Sequence, residues 1–244
     1  MRPAGAWAFA VAALLLSATP AAAQEITLSL ADGGSLSVRT IQLIVLITVL
    51  SLAPGLAIMI TCFPFIVTVL AILRQGIGLQ QSPPNMLIVS LALFLTYFVM
   101  EPVFSEAWAA GVAPLMNGSI DLETALPRAL IPFRAFMAGR VDAETFATLS
   151  ALRPGAAAAL PMPEAPLSIL VPSFLLSEIA RAFQIGFLIF LPFLIIDLVV
   201  AAILMSMGMM MVPPVVVSLP FKLAFFVIAD GWTLIADSLV RGYF

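Results

Sequence analysis

Residues 183–201, FQIGFLIFLPFLIIDLVVA, form an apolar stretch in which Asp197 is the only charged residue. The stretch belongs to a longer apolar run, residues 167–205. A helix needs about 20 residues to cross the hydrocarbon core of a bilayer, so this run is too long for one straight span. Pro192 lies within it and predicts a break in the helix, because proline removes a helical hydrogen bond.

The composition of the whole chain is typical of a membrane protein. Of the 244 residues, 63% are hydrophobic and 9% are charged, whereas charged residues make up about 25% of soluble domains. We therefore predict an all-α, polytopic helical membrane protein with two long kinked helical hairpins and a small helical soluble segment between them. The first hairpin spans residues 41–104, the soluble segment residues 105–166 and the second hairpin residues 167–244.

Residues 1–23 are typical of a cleavable signal peptide. Arg2 supplies the positive end, residues 6–16 the short apolar core, and alanines at 21–23 the cleavage site. The alternative is an uncleaved interfacial helix. Residues 24–40 then form a short polar lead-in. With the signal removed and four spans, the soluble segment and both termini are expected outside the inner membrane, and the tight hairpin loops in the cytoplasm.

Prolines set the expected helix limits in the first half of the chain. Pro54-Gly55 interrupts an apolar run, which indicates one long kinked helix or a helix with an extra turn-rich piece outside the membrane. The next helix, residues 86–100, is expected to end at Glu101, because the residue before Pro102 is disfavoured in the helical region. Amphipathic pieces predict short helices in the soluble segment, and residues 154–166 a linker.

Several chemistries are excluded by the residue types present. Histidine is absent and Cys62, inside an apolar run, is the only cysteine. This excludes a Ser-His-Asp relay, a Cys-His pair, a zinc site of His and Cys, and a disulfide within the chain. Cys62 is interpreted as a small buried hydrophobe. No phosphate-binding loop is present either. We expect no enzyme activity, no cofactor, no metal and no nucleic-acid partner.

Charged residues recur in the second hairpin, where a charge at the bilayer centre costs about 2.5–3.5 kcal/mol. Two of them, Glu178 and Arg181, are three residues apart and can pair on one helix. In the last helix, residues 212–240, the spacing of five residues predicts a polar stripe along one face. The stripe residues are Lys222, Phe226, Asp230, Thr233 and Asp237.

These charges are interpreted as buried ion pairs that fix the register between helices or subunits. The alternative is an ion or proton pathway, for which Asp197, five residues after Pro192, fits best. An intramembrane aspartyl protease is set aside, because its Gly-x-Gly-Asp signature is missing.

Four strings carry a specific resemblance. They are PPNMLIVSLALFLTYFVMEPVF (83–104), FQIGFLIFLPFLIIDLVVA (183–201), MGMMMVPP (207–214) and LPFKLAFFVIADGW (219–232). Together and in this order they resemble the FliP family of flagellar type III export-gate proteins, with similar relatives in injectisomes. The resemblance covers residues 41–240.

The resemblance implies a subunit of an oligomeric export channel in the inner membrane, at the flagellar basal body. It implies a ring of several copies, five in the family's assembly, with FliQ and FliR subunits and with FlhB and FlhA nearby. Unfolded flagellar proteins would be the export substrates. It further implies that helices resembling membrane spans are carried largely above the bilayer in the assembly, and that Glu178, Asp197 and Lys222 correspond to inter-subunit contacts. Phe65 departs from the family, which has a basic residue there.

The methionine-rich turn is the family's channel seal, which the resemblance assigns here to Met209, Met210 and Met211. Methionine is flexible and polarizable and makes no obligatory hydrogen bond, so a ring of such side chains can exclude water yet deform around a passing polypeptide. Gly208 is expected to permit the tight turn. The Pro213-Pro214 pair is expected to keep the loop from winding into a helix.

Two rivals remain. One is the injectisome version of the same part, against which the signal peptide and the sizeable soluble segment argue. The other is an ion-coupled secondary transporter, for which a sequence repeat between the hairpins would be expected and none is apparent.

Overall fold

A computed structural model of the protein describes residues 36–79, 83–152, 161–209 and 211–244. These residues are helical and contain no strand, which confirms the all-α fold. Two compact units divide the chain, Met1–Leu50 and Ser51–Phe244. The described part of the first unit is helical. The predicted signal peptide lies outside the described residues.

Nine α-helices are labelled in chain order within the described ranges. They are α1 Leu36–Met59, α2 Phe63–Ile77, α3 Asn85–Ala107, α4 Ala113–Met116, α5 Leu122–Ala138, α6 Ala143–Ala151, α7 Leu167–Ser206, α8 Pro214–Ile228 and α9 Gly231–Arg241. A π-helix, Trp108–Val112, joins α3 to α4, and a 3-10 helix, Met162–Glu164, precedes α7.

Three of the described helical stretches are long and apolar enough to cross a membrane. They are Thr40–Met59, Asn85–Met116 and Leu167–Ser206. The pair α8 and α9, bent by 61°, counts as a fourth if it is one broken span. The 40 residues of α7 correspond to about 60 Å of helix, twice the about 30 Å thickness of a hydrocarbon core.

Prolines interrupt the helices less than the sequence predicted. Helix α1 continues through Pro54-Gly55 and ends at Met59, α3 continues through Pro102, and α7 through Pro192. The helix end predicted at Glu101 and the break predicted at Pro192 were therefore wrong. The interruption that the sequence suggested at Pro54-Gly55 lies instead at residues 60–62, between α1 and α2. A proline removes one hydrogen bond, whereas ending the helix inside an apolar region would leave several backbone groups without water or a partner.

Helices α2 and α7 pack closely along one another and form the centre of the second unit. A Cβ at Gly186 would lie 2.4 Å from Ile72 Cδ1, so glycine permits this approach. One side of α2 is fully buried, with Ile66, Val69 and Leu73 at 0% exposure.

The last arm of the second hairpin is not one helix. It breaks between Ile228 and Gly231, where Asp230 adopts a left-handed φ of 48°. The predicted continuous polar stripe was therefore wrong. Its first member, Lys222, is buried, whereas Asp230 and Asp237 are exposed.

Candidate functional site

The methionine-rich turn connects α7 to α8 through a closed helix end. Gly208 has a φ of 75°, and its N–H donates to Met205 O at 3.1 Å while Met209 N–H donates to Leu204 O at 3.0 Å. These two bonds form the Schellman arrangement, which satisfies the last carbonyls of a helix. Gly208 therefore acts as the left-handed residue that ends α7 and turns the chain.

The two prolines differ in conformation, and their predicted role in keeping the loop from winding into a helix stays a prediction. Pro213 is extended, with φ −64° and ψ 119°, and Pro214 is the first residue of α8. Pro214 starts the helix rather than opposing it, because its fixed φ suits the first helical position and its missing N–H has no helical partner there. The loop is thus confined between two fixed ends.

The methionines are displayed by this short loop. Met211 is 95% exposed and Met209 is 42% exposed, whereas Met210 lies outside the described residues. Met205 and Met207, at the end of α7, are also exposed. The turn therefore presents a group of flexible apolar side chains away from the body of the subunit.

A buried ion pair lies beside this end of the hairpin. Lys222 Nζ on α8 donates to Asp197 Oδ2 on α7 at 2.6 Å and to Gly76 O at 3.1 Å. Ser218 Oγ donates to the second carboxylate oxygen of Asp197 at 2.5 Å. The Lys222 side chain is only 4% exposed and that of Asp197 is 28% exposed.

Elementary helix geometry brings these groups together. Ser218 and Lys222 are one turn apart on α8 and face α7, which runs antiparallel to it. Gly76 contributes one of the last carbonyls of α2, where the helix dipole favours a cation. Lys222 therefore has two roles: it neutralises the carboxylate of Asp197, and it donates a hydrogen bond to a carbonyl at the C-terminal end of α2.

A second charged cluster surrounds Glu178, which is 0% exposed. Its Oε1 accepts from Arg140 Nε at 3.1 Å and from Arg181 Nη1 at 3.3 Å. Its Oε2 accepts from the hydroxyl of Tyr243. Arg140 follows the end of α5 and also donates to Gly242 O at 2.6 Å. The cluster thus ties the end of α5 and residues 242–243 to α7.

Tyr243 is enclosed by this cluster. The guanidinium of Arg140 lies 3.9 Å from the centre of its ring, and Phe65 and Phe136 pack against it with centroids 5.7 and 6.0 Å away. Burial raises the pKa of the Tyr243 phenol well above its usual value, and the negative charge of Glu178 raises it further. The phenol therefore stays protonated and donates its hydrogen bond.

Of the five charged residues singled out in the sequence, four are brought together in two separate clusters. The fifth, Asp230, is exposed at the bend between α8 and α9, where it accepts a hydrogen bond from Thr233 Oγ1 at 3.2 Å. No ion pair to Asp230 is found among the described residues.

Sequence reasoning missed three members of these clusters. Ser218 carried a signal, since it lies one turn before Lys222 on the same helix face. Arg140 and Tyr243 carried none, because their contacts to Glu178 come from 38 and 65 residues away along the chain. Phe65 packs on Tyr243 beside Arg140.

The chain is similar to a family of bacterial proteins that share the name FliP. The model of the FliP family matches residues 46–239. The chain is 48% identical to the flagellar biosynthetic protein FliP of Caulobacter vibrioides over 238 residues, which cover 96% of this chain and 88% of that protein.

Proteins of the same name from other bacteria are similarly related to this chain. Identity to the flagellar biosynthetic protein FliP of Agrobacterium fabrum is 47% over 211 residues, 86% of each chain. Identity to that of Bacillus subtilis is 47% over 208 residues, 84% of this chain and 92% of that protein. Since the family model matches residues 46–239 and these relatives are 47–48% identical over most of the chain, the chain belongs to the FliP family.

Proposed function

We propose that this chain is a subunit of the flagellar protein-export gate, in which several copies surround a channel for unfolded flagellar proteins. Membership of the FliP family makes it a component of the flagellar export apparatus, multi-pass in the bacterial inner membrane. The proposal adds the channel, a ring of five copies, and the neighbours FliQ, FliR, FlhB and FlhA. It also adds that the chain performs no catalytic step of its own.

The observation that carries the channel proposal is the construction of the methionine-rich turn. A Schellman helix end and a proline helix start hold a short loop in which Met211 is 95% exposed. Because the two ends of the loop are fixed, packing it against other copies loses little backbone entropy, while the methionine side chains can still change rotamer. Copies of the turn around an axis would then form a soft apolar plug that excludes water and yields to a passing chain.

The surfaces of α7 and α8 support assembly with other subunits. Their outward faces carry large apolar side chains, among them Phe183, Phe187, Leu198 and Phe221. The charges nearest to these faces are neutralised within the subunit. Apolar surfaces of this kind suit both lipid and neighbouring copies.

The length of α7 supports a position partly outside the bilayer. A helix of about 60 Å exceeds a hydrocarbon core of about 30 Å. We propose that its Glu178 end rises on the outer side together with the soluble segment, residues 105–166. The methionine-rich turn then lies at the opposite end of the same helix.

The seal is tested by replacing Met209, Met210 and Met211 with alanine and measuring dye or small-ion leakage across the inner membrane of cells with assembled basal bodies. Increased leakage with normal secretion is expected. The matched control is Met116→Ala, since Met116 is 71% exposed but lies on α4. Leakage equal to that of the control, with assembly intact, would contradict the seal.

A further inference from the structure

The bend between α8 and α9 depends on two residues. Helix α8 ends at Ile228 and α9 begins at Gly231, and the chain turns by 61° at Ala229 and Asp230. Asp230 is the one described residue other than glycine with a positive φ. A left-handed backbone is unfavourable for any residue with a side chain, although Asp tolerates it better than most. A return of these two residues to helical angles would make α8 and α9 continuous.

The sequence keeps the periodicity of that continuous helix. Lys222, Asp230, Thr233 and Asp237 would share one face if the helix were unbroken. In the bent form this face is divided, since Lys222 is buried on α7 and the other three residues are exposed. The bent form uses these residues in separate contacts, Lys222 with Asp197 and Asp230 with Thr233, and it does not use the single polar face that a continuous helix would have. That face indicates a second arrangement of the same segment.

Helix α9 is attached to the body of the subunit at few points. Its buried large side chains are Ile235 and Leu239, and its opposite face is exposed. Beyond its end, Tyr243 donates to Glu178 and Gly242 O accepts from Arg140. Between the bend and residue 242, α9 is held by Ile235 and Leu239, whereas the attachment at its end is stronger, because the ring of Tyr243 also packs on Phe65 and Phe136. An element held mainly at its far end suits two positions, one fastened and one released.

We propose that α9 and residues 242–244 form a strap that is hinged at Asp230, fastened by Glu178 and Arg140, and able to swing out as a continuation of α8. Opening breaks the hydrogen bonds of Tyr243 and Gly242 and uncovers the core beneath α9. The same opening separates the C-terminus from α5 and thus from the soluble segment. The strap is a property of one subunit and does not depend on the export channel.

Two adjacent positions shift the equilibrium in opposite directions. Asp230→Gly removes the cost of the left-handed backbone and disfavours a continuous helix, so it favours the closed strap. Gly231→Ala favours the open strap, because a Cβ there lies 2.2 Å from Phe226 Cε2 in the closed form, while alanine favours a continuous helix. Each change shifts the ratio of the two forms by roughly tenfold.

The only cysteine reports on opening. Cys62 is 0% exposed and belongs to the core on which Leu239 and Tyr243 pack. Burial raises the pKa of its thiol to about 12, so the closed form reacts slowly with maleimides. Reaction at Cys62 therefore measures how often the core beneath the strap is uncovered.

The test is the rate of N-ethylmaleimide labelling of Cys62 in the full chain in native membranes, followed by mass spectrometry. Asp230→Gly is expected to label about tenfold more slowly than the unchanged protein, and Gly231→Ala about tenfold faster. Tyr243→Phe, which removes only the hydroxyl, is expected to label severalfold faster. Rates within twofold of the unchanged protein in Asp230→Gly and Tyr243→Phe overturn the proposal, whether or not Gly231→Ala accumulates.

A distance measurement gives a second readout. Two spin labels, one at Val216 on α8 and one at Asp237 on α9, are attached at exposed positions in a chain with Cys62→Ser. The distance between the two labels is then measured. For a bend of 61° the two backbones are about 26 Å apart, and for a continuous helix about 31 Å. The shorter distance in Asp230→Gly and the longer one in Gly231→Ala support the strap, and one common distance overturns it.

Discussion

Replacing Lys222 by methionine tests how the interior of the second hairpin is held together. Methionine keeps most of the apolar stem of the side chain but removes the ammonium, which donates at 2.6 Å to Asp197 and at 3.1 Å to Gly76 O. Asp197 then keeps only the hydroxyl of Ser218, and the carbonyl loses its donor. The variant should therefore leave a largely uncompensated carboxylate inside the protein.

The magnitude follows from the burial of the pair. Removing one partner of a buried ion pair costs about 3–5 kcal/mol. The Asp197 side chain is 28% exposed, which lets water or a headgroup reach it, so we expect the low end, about 3 kcal/mol. For a chain of this length that loss lowers Tm by about 6–12 °C.

The assay is thermal unfolding of the purified chain in detergent, followed by tryptophan fluorescence. The control is Arg241→Met, which breaks an ion pair of similar length, 2.8 Å, whose side chains are 79% and 52% exposed. Water screens an exposed pair of this kind and it contributes little to stability, so the Tm of the control should fall by no more than about 2 °C.

A double variant decides whether the loss comes from the pair. Asp197→Asn combined with Lys222→Met removes both charges, and it should recover most of the loss because no unpaired charge remains. The reasoning is refuted if Lys222→Met unfolds within the range of the control. It is also refuted if the loss of stability in the double variant equals the sum of the losses in Asp197→Asn and Lys222→Met.

Three further predictions concern other parts of the second unit. Glu178→Gln keeps the shape of the side chain but leaves two guanidinium groups without a counter-charge, so unfolding should become easier by about 3 kcal/mol in the same thermal assay. Gly111→Ala in the π-helix would place a Cβ 2.6 Å from the backbone oxygen of Ala125. Because the backbone of α5 cannot easily move away, the variant should loosen the packing of residues 105–166, and limited proteolysis should cut them faster. An unchanged rate of cleavage would contradict the close approach. The pKa of Asp142 lies below its usual value because the carboxylate accepts the N–H of Thr145, so its stabilisation of α6 is present at neutral pH and is lost as pH falls below about 4. Hydrogen exchange of α6 at neutral and acidic pH should show that loss, and Asp142→Asn should remove the difference.

Composition determines the class of this fold, and the sequence predicted it well for that reason. A chain that is 63% hydrophobic and 9% charged has to place helices in an apolar environment, where every backbone group needs an internal partner. The same requirement explains why the prolines misled the prediction. The rule that proline ends a helix comes from proteins in water, where water molecules can bind the backbone groups at a helix end. In an apolar environment no water is available for this, and α3 and α7 continue through Pro102 and Pro192.

The charged clusters were predictable only in part. Charges as costly as Asp197 and Lys222 have to find partners, so the existence of buried pairs follows from the sequence. The identity of the partners does not, because Arg140 and Tyr243 reach Glu178 through the packing of α5 and the C-terminus. The bend at Asp230 was hidden for a similar reason. Local periodicity favours a continuous helix, and burial of Ile235 and Leu239 overrides it.

The position of charges along α7 limits how this helix can lie in a membrane. Its charge-free stretches are residues 167–177, 182–196 and 198–206, and the longest of them extends only about 22 Å. A hydrocarbon core of about 30 Å therefore encloses a charged residue of α7 wherever the helix crosses it. Asp197 already has its counter-charge on the neighbouring helix of the same hairpin, and Glu178 has its own from the adjoining segment. Both interior carboxylates of α7 thus have their counter-charges from the chain itself, so neither needs a partner from another protein when the helix lies in a bilayer.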